Sequence, residues 1–413
     1  MTGLRCLALC MGVATLSLGA AFDATAQNWT QWRGPNRDGV VTSFNVPGSW
    51  PDGLTEQWTI EVGLGYATPL LVGDRLYLFA RQKNDEVMLA LDPDSGNVIW
   101  RTAYPAPFDM NPATAPHGPG PKSTPAYADG RVFTLGMSGI VTAFEAETGR
   151  QLWQTPPSPV EPLYHTSMSP VVDDDIVIFH VGGHDDGELT AFDVGSGDVR
   201  WSWDGDGPAY GSPIIVEMEG VRQVVTFTQE HLVSVARDTG ALLWQRPFTT
   251  GSTTTSQTPI LFGNTLIQAG RGNGITAFRV VREGDAWTTD DVWHTDDVSL
   301  HMTNGVVVDG VLFGLSHLNG GQYFGLDLET GEVLWRGDPR QAENAAILRA
   351  GDTVFSLEED GELLVVQTSR SGFDVLERYE VSDSQTWTQP TLSGSRLYVK
   401  DVSTLTFWTL DEN

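Results

Sequence analysis

Ser123 to Trp153 reads STPAYADGRVFTLGMSGIVTAFEAETGRQLW, and this stretch decides the fold. It parses into four short strands: Thr124–Tyr127, Arg131–Leu135, Ile140–Glu145 and Arg150–Trp153. Ala128-Asp129-Gly130 closes the first hairpin, because a Gly after Asp tolerates the positive φ of a tight turn. Met137-Ser138-Gly139 and Glu147-Thr148-Gly149 supply the other two turns. Short β-branched or aromatic runs punctuated by turn residues mark a meander. The strands are largely apolar on both faces, which suits a small sheet covered on each side by another like it.

Outward from this copy, the final aromatic recurs at Trp58, Trp100, Trp153, Trp201, Trp244, Trp293, Trp335 and, degenerate, Tyr379. The spacing is about 40 to 50 residues, the period of a propeller blade. First strands start at Thr68-Pro69, Thr124-Pro125, Ser169-Pro170, Ser212-Pro213, Thr258-Pro259, Thr303-Asn304, Ala345-Ala346 and Gln389-Pro390. The turn before the last strand repeats as Asp94-Ser95-Gly96, Glu147-Thr148-Gly149, Gly195-Ser196-Gly197, Asp238-Thr239-Gly240 and Glu329-Thr330-Gly331, where Asp92, Asp193 and Asp327 can accept from the turn amides. A Trp-ending strand, Leu54–Ile60, precedes the first start. The last start, with Arg396–Lys400 and Leu405–Leu410, lacks a final strand. The expectation is an all-β, eight-bladed β-propeller of four-stranded antiparallel blades. The N-terminal strand joins the C-terminal blade, and closure removes two apolar faces and their open edges.

The rest of the chain frames this ring. Residues 1–26 read as a signal peptide: Arg5, an apolar run from Cys6 to Ala21, and Ala24-Thr25-Ala26 as the cleavage site. Both cysteines, Cys6 and Cys10, fall inside it, so the mature chain has no disulfide or thiol chemistry. Lipidation at Cys10 is disfavoured by Leu9 before it. Residues 27–53 form a segment unlike the repeat, and residues 54–413 the propeller. In the former, Trp29 and Trp32 flank Gly34-Pro35, either as a binding patch or as a cap that buries indoles against the array. The 413 residues carry 24 Lys+Arg against 53 Asp+Glu, a net charge of −29. That surface repels nucleic acid and anionic lipid at long range, and no later segment reaches membrane-spanning length.

The repeat, as in Ala90-Leu91-Asp92, Gly96 and Trp100, resembles the PQQ-type propeller repeat. In that family a Trp of each blade docks on the next blade. One branch holds quinoprotein alcohol and sugar dehydrogenases. Another holds non-enzymatic propellers similar to BamB, a periplasmic scaffold of outer-membrane protein assembly. Gln31-Trp32-Arg33-Gly34-Pro35 and Gly120-Pro121-Lys122-Ser123-Thr124-Pro125 look like those of secreted PQQ-like repeat proteins. The dehydrogenase resemblance implies PQQ with calcium, held by adjacent half-cystines, a Trp and a Glu/Asn/Asp set. The adjacent cysteines are absent here, and the blades are near minimal length.

First strands line the propeller axis, so residues just before each start are expected at the channel mouth. They are Tyr66, Lys122, His165, Tyr210, Gln257, His301, Asn344 and Trp387. Read functionally, Lys122 and the histidines recognise an anionic or hydroxylated ligand between aromatic walls. Read structurally, they are a wet mouth whose polar groups satisfy one another. Two metal readings are weaker. His180, His184, Asp185 and Asp186 read as a solvated outer turn, and Asp204-Gly205-Asp206-Gly207 lacks the acidic ligands of a calcium loop. Asp173-Asp174-Asp175 replaces a hairpin turn and needs no metal. No nucleophile elbow, phosphate loop or His-Glu-x-x-His is present. The expectation is a periplasmic or secreted, non-catalytic scaffold, monomeric, binding a protein partner or an extracellular ligand, with no cofactor and no metal. The alternative is a PQQ- and calcium-dependent alcohol or sugar dehydrogenase.

Overall fold

A computed structural model describes residues 28–44, 46–251 and 255–410. The leader reading, with Cys6, Cys10 and the Ala26 cleavage site, lies outside the described residues. Eight four-stranded antiparallel sheets succeed one another along the chain, with almost no helix. Blade 1 is Leu70–Val72, Arg75–Gln82, Asp85–Leu91 and Val98–Pro105. Blade 2 is Ala126–Ala128, Arg131–Leu135, Val141–Glu145 and Gln151–Gln154. Its first strand starts two residues later than the sequence suggests. Pro125 has no N–H for a ladder, and the Thr124 N–H is drawn across to Ser169 Oγ at 3.0 Å. Asp129 and Gly130 take φ of 46° and 74°, as the hairpin requires.

The ring closes as expected. Thr55–Glu61 pairs antiparallel with Thr404–Thr409, with Trp58 opposite Phe407, and completes the sheet of Thr391–Ser393 and Arg396–Lys400.

Between blades, tryptophan is the mortise. Gly96, Gly149, Gly197, Gly240 and Gly331 have φ between 69° and 77°, and each faces the Trp ring of the preceding blade. The indole N–H then donates to a carbonyl of that same turn region: Trp58 to Pro93 (3.2 Å), Trp100 to Ala146 (2.9 Å), Trp201 to Arg237 (2.8 Å) and Trp293 to Leu328 (3.0 Å). Glycine is needed twice over, for the left-handed turn and for ring contact. Trp244 is the exception. The next blade connects Ile275–Glu283 to Ala286–Thr295 through a hairpin without the Thr-Gly turn, and Trp244 donates to Gln223 Oε1 of its own blade (3.0 Å). Asp92, Asp193 and Asp327 accept from their turn amides at 2.8–3.2 Å. Their carboxyls are held below the usual range, chiefly by the Ser95 hydroxyl at Asp92, by the Ser196 and Gly195 amides at Asp193 and by the Arg370 guanidinium at Asp327.

The N-terminal segment lies across the axis. Innermost strands run from Tyr66, Lys122 and Tyr210 at one end toward hairpins at the other, and the segment sits against the hairpin end. Trp29 exchanges backbone hydrogen bonds with Leu71 of blade 1, Thr30 accepts from Tyr127 of blade 2, and Val41 donates to Arg349 in the sheet of Ala345–Ala350, Thr353–Glu358, Glu362–Ser369 and Gly372–Glu380. Arg33 and Arg37 point inward and are buried. Arg37 donates to Pro170 O (2.8 Å) and Ser169 O (3.0 Å), and Arg33 to Gly305 O (2.6 Å) and Asn304 O (3.3 Å). Strand carbonyls turned to the axis thus receive guanidinium donors in place of water.

Candidate functional site

At the end of the channel away from the segment's backbone is a cavity of about 390 Å³. Tyr66, Lys122, Tyr210 and Trp387, four of the eight residues expected at the mouth, line it. Asn344 lines a small adjoining cavity of about 40 Å³ that shares Trp32, Met302, Asn304 and Trp387 with the larger one.

The other three positions face elsewhere, and the side chains beside them face the cavity. Ser167 takes the place expected of His165, Ser256 that of Gln257, and Met302 that of His301. For Gln257 and His301 the offset is one residue, which in an extended strand reverses the side chain's direction, whereas Ser167 lies two residues past His165 and stands as far before Ser169 as Tyr66 stands before Thr68. The hydrogen-bond belt between first strands fixes the register. Thr68 N donates to Thr124 Oγ1, Thr124 N to Ser169 Oγ, Ser169 N to Ser212 Oγ and Thr258 N to Asn304 Oδ1, at 2.8–3.0 Å. Asn304, one residue later than Thr303, is therefore the counterpart of Thr258. Gln257 is buried and donates to His301 O. His301 packs 5.8 Å from His317, and burial pulls its imidazole down to about 4, with Arg271 and His317 adding to the shift.

His165 instead pins the rim. It has φ of 65° in a turn closed onto Pro162 O. Its Nε2 accepts from Asn111 N (3.2 Å), so Nδ1 carries the hydrogen toward Glu161 Oε2, 2.6 Å away. Asn111 also donates to Leu163 O (2.8 Å) and caps the short 3₁₀ turn Pro112–His117. The connection between blades 1 and 2 is thereby laid over the mouth. Its Ala113, Thr114 and His117 line the cavity, and His117 meets Trp387 edge to face at 4.7 Å.

Lys122 is the cation of the cavity. Its ammonium donates to Tyr164 O (3.0 Å), and burial pulls it down to about 8. No carboxylate lines either cavity. Trp387 Nε1 and Tyr66 Oη are buried without a partner. Trp32 lines both cavities, held by its N–H on Thr258 Oγ1 (3.0 Å). Trp29 is fully buried, as the cap reading of the N-terminal segment expects, while Trp32 is half-buried and forms cavity wall. Tyr164, Thr114 and His117 were not singled out from the sequence. They sit in connections without repeat spacing.

In the His180–Asp186 stretch Asp185 and Asp186 are exposed in a turn, as expected, but the two histidines are not solvated with them. His180 is buried with Nε2 on Asp206 O (3.1 Å), and His184 Nε2 accepts from Leu163 N (3.1 Å) beside Tyr210 Oη (3.3 Å), bracing the cavity wall. Asp206 accepts from Glu230 N and His231 Nδ1, each at 3.0 Å. Asp173 is paired with Arg222 and Arg237. Among the described residues no group of three or more His, Cys, Asp or Glu is placed to hold a metal ion, and no helix is long and apolar enough to cross a membrane.

A family model described as outer membrane protein assembly factor BamB matches residues 83–337. The assembly factor BamB of Yersinia pestis is 26% identical over 258 residues, covering 57% of this chain and 63% of that protein. Methanol dehydrogenase subunit 1 of Methylorubrum extorquens is 29% identical over 169 residues, 38% of this chain and 26% of that one. The chain thus spans less than two-thirds of the length of these relatives. Among solved structures, BamB from Moraxella catarrhalis has a TM-score of 0.60 at 17% identity, covering 86% of this chain and 99% of that one. Quinohemoprotein alcohol dehydrogenase from Comamonas testosteroni has a TM-score of 0.67 at 13% identity, covering 94% and 81%. At such identities the structural likeness shows the fold alone.

Proposed function

The chain belongs to the family described as outer membrane protein assembly factor BamB, and from that premise we propose that it is an exported, non-catalytic binding propeller. It takes a ligand in the channel-mouth cavity and offers the surrounding loops to a protein partner. The observation that carries this reading is the cavity: aromatic walls, one buried ammonium and no carboxylate, inside a chain of net charge −29. Large apolar pockets with a few convergent polar groups are the usual form of a small-molecule site. Export is supported by the basic start, apolar run and A-x-A of residues 1–26.

The match to methanol dehydrogenase favours a second reading, a quinoprotein dehydrogenase. The cavity does not fit that cofactor. Calcium takes several oxygen ligands with carboxylates among them, and the lining has none. PQQ brings three carboxylates, and the larger cavity offers one ammonium to meet them.

The experiment is a small-molecule screen by thermal shift and tryptophan fluorescence on the chain and on Lys122→Met and Trp387→Ala. Compounds that shift the parent and leave both folded variants unmoved support the reading. Responses unchanged by either variant overturn it. Added PQQ and calcium ions with methanol or glucose are expected to give no dye reduction. Reduction that depends on Lys122 would establish the dehydrogenase instead.

A further inference from the structure

We propose that the cavity takes a sugar acid of monosaccharide size, a hexuronate, with its carboxylate on Lys122 and its ring against the Trp387 and Tyr66 side chains. This rests on the cavity being a ligand site, as proposed above, and names the ligand class.

The lining is sorted by what its hydroxyls have left to give. Ser167 Oγ donates to Tyr210 O (3.2 Å) and Ser256 Oγ to His301 O (2.8 Å), so both present lone pairs to the cavity. Ser169 Oγ and Ser212 Oγ each accept a backbone amide, which leaves their own hydrogens free to donate. Hydroxyls with a hydrogen to give and hydroxyls with lone pairs to give therefore line one space. A sugar hydroxyl is both donor and acceptor and can meet either kind. A flat aromatic acid carries acceptors alone and would leave the Ser167 and Ser256 lone pairs facing carbon, which costs free energy. A neutral sugar would leave the ammonium with only the Tyr164 carbonyl. An acid answers it with a charge-assisted bond. The aromatic faces suit the C–H faces of a pyranose, and the absence of a carboxylate from the lining leaves nothing there to repel the ligand's own.

The test is calorimetric titration of the full chain with three probes: D-glucuronate, D-glucose and benzoate. Glucuronate is expected to bind saturably and about tenfold or more tighter than either other probe, the size of one charge-assisted contact. Lys122→Met is expected to bring glucuronate down to glucose, and Ser256→Ala to weaken both sugars without changing their ratio. Should Lys122→Met fail to fold, the pH series on the parent chain reads the same contact. There the advantage of glucuronate over glucose should collapse as pH rises past about 8, where the buried amine loses its proton. A glucuronate preference that survives Lys122→Met, or that holds unchanged above that pH, overturns the proposal. Benzoate binding tighter than glucuronate overturns the sugar class and leaves the cavity as a ligand site. Silence from all three probes, together with an empty small-molecule screen, overturns both.

Discussion

Replacing Gly240 by Ala should cost far more than the same change at Gly220, although both lie in turns of one blade, Ile214–Met218, Val221–Phe227, His231–Ala236 and Leu242–Pro247, and share a backbone conformation. Gly240 has φ of 69° and Gly220 of 72°. An alanine at either position pays about 1–2 kcal/mol for the left-handed conformation. At Gly220 nothing lies within 4 Å of the added carbon, so the cost ends there. At Gly240 the added carbon comes 2.6 Å from Trp201 Cε3, and the ring has to move. Movement breaks the Trp201 N–H bond to Arg237 O, now 2.8 Å, and leaves a buried donor unmatched, about 1–3 kcal/mol. Overpacking against a buried indole adds about 1–3 kcal/mol. The expected totals are about 1–2 kcal/mol for Gly220→Ala and about 3–8 kcal/mol for Gly240→Ala. Urea unfolding midpoints at a common slope measure both. A Trp201→Ala background isolates the docking, because without the ring Gly240→Ala should cost no more than Gly220→Ala. Equal costs in the parent chain, or an undiminished cost in the Trp201→Ala chain, would refute tryptophan docking as the joint between blades.

Three further outcomes follow from other contacts. Arg37→Ala strips donors from the buried Pro170 and Ser169 carbonyls and should cost about 2–4 kcal/mol, with faster proteolysis within residues 28–44; an unchanged melt and cleavage pattern would dismiss the segment as a structural plug. Trp58→Ala removes an indole packed on Tyr398 and Phe407 at the ring's seam and should cost about 3 kcal/mol by thermal or urea unfolding. Two buried groups give opposite pH trends. Burial pulls His180 down to about 4 from 6.5, so its contribution is lost as pH falls through that window. Burial pushes Glu358, which accepts from Tyr323 Oη at 2.8 Å, up to about 7 from 4.5, so its contribution is lost as pH rises through that one. Glu358→Gln should therefore make stability climb more steeply between pH 4.5 and 7; an unchanged slope would contradict the assignment.

What the sequence disclosed was what repeats or acts locally. The strand-ending aromatic recurs eight times and the Ser/Thr-Gly turn before it five times, each acting within a few residues of chain, which made blade number and closure legible. The cavity was legible where the repeat kept its register, at Tyr66, Lys122, Tyr210 and Trp387. It was misplaced at His301 because Asn304 rather than Thr303 answers the Thr258 amide, which brings Met302 to the wall, and at His165 and Gln257 because the wall residue stands two before the strand start, at Ser167 and Ser256. Arg33 and Arg37 were opaque for another reason. Their acceptors lie more than a hundred residues away and are backbone carbonyls, which carry no residue signature. Trp244 shows the converse: its indole kept its place in the repeat while its partner turn was lost to a longer hairpin, and Gln223 substitutes.

The measurement that bears most directly on the account is a crystal structure of the chain grown with D-glucuronate. The account predicts the sugar in the 390 Å³ cavity, its carboxylate within hydrogen-bond distance of Lys122 Nζ and its ring on Trp387. A cavity holding solvent alone, with the sugar bound on the outer strands or nowhere, would contradict it.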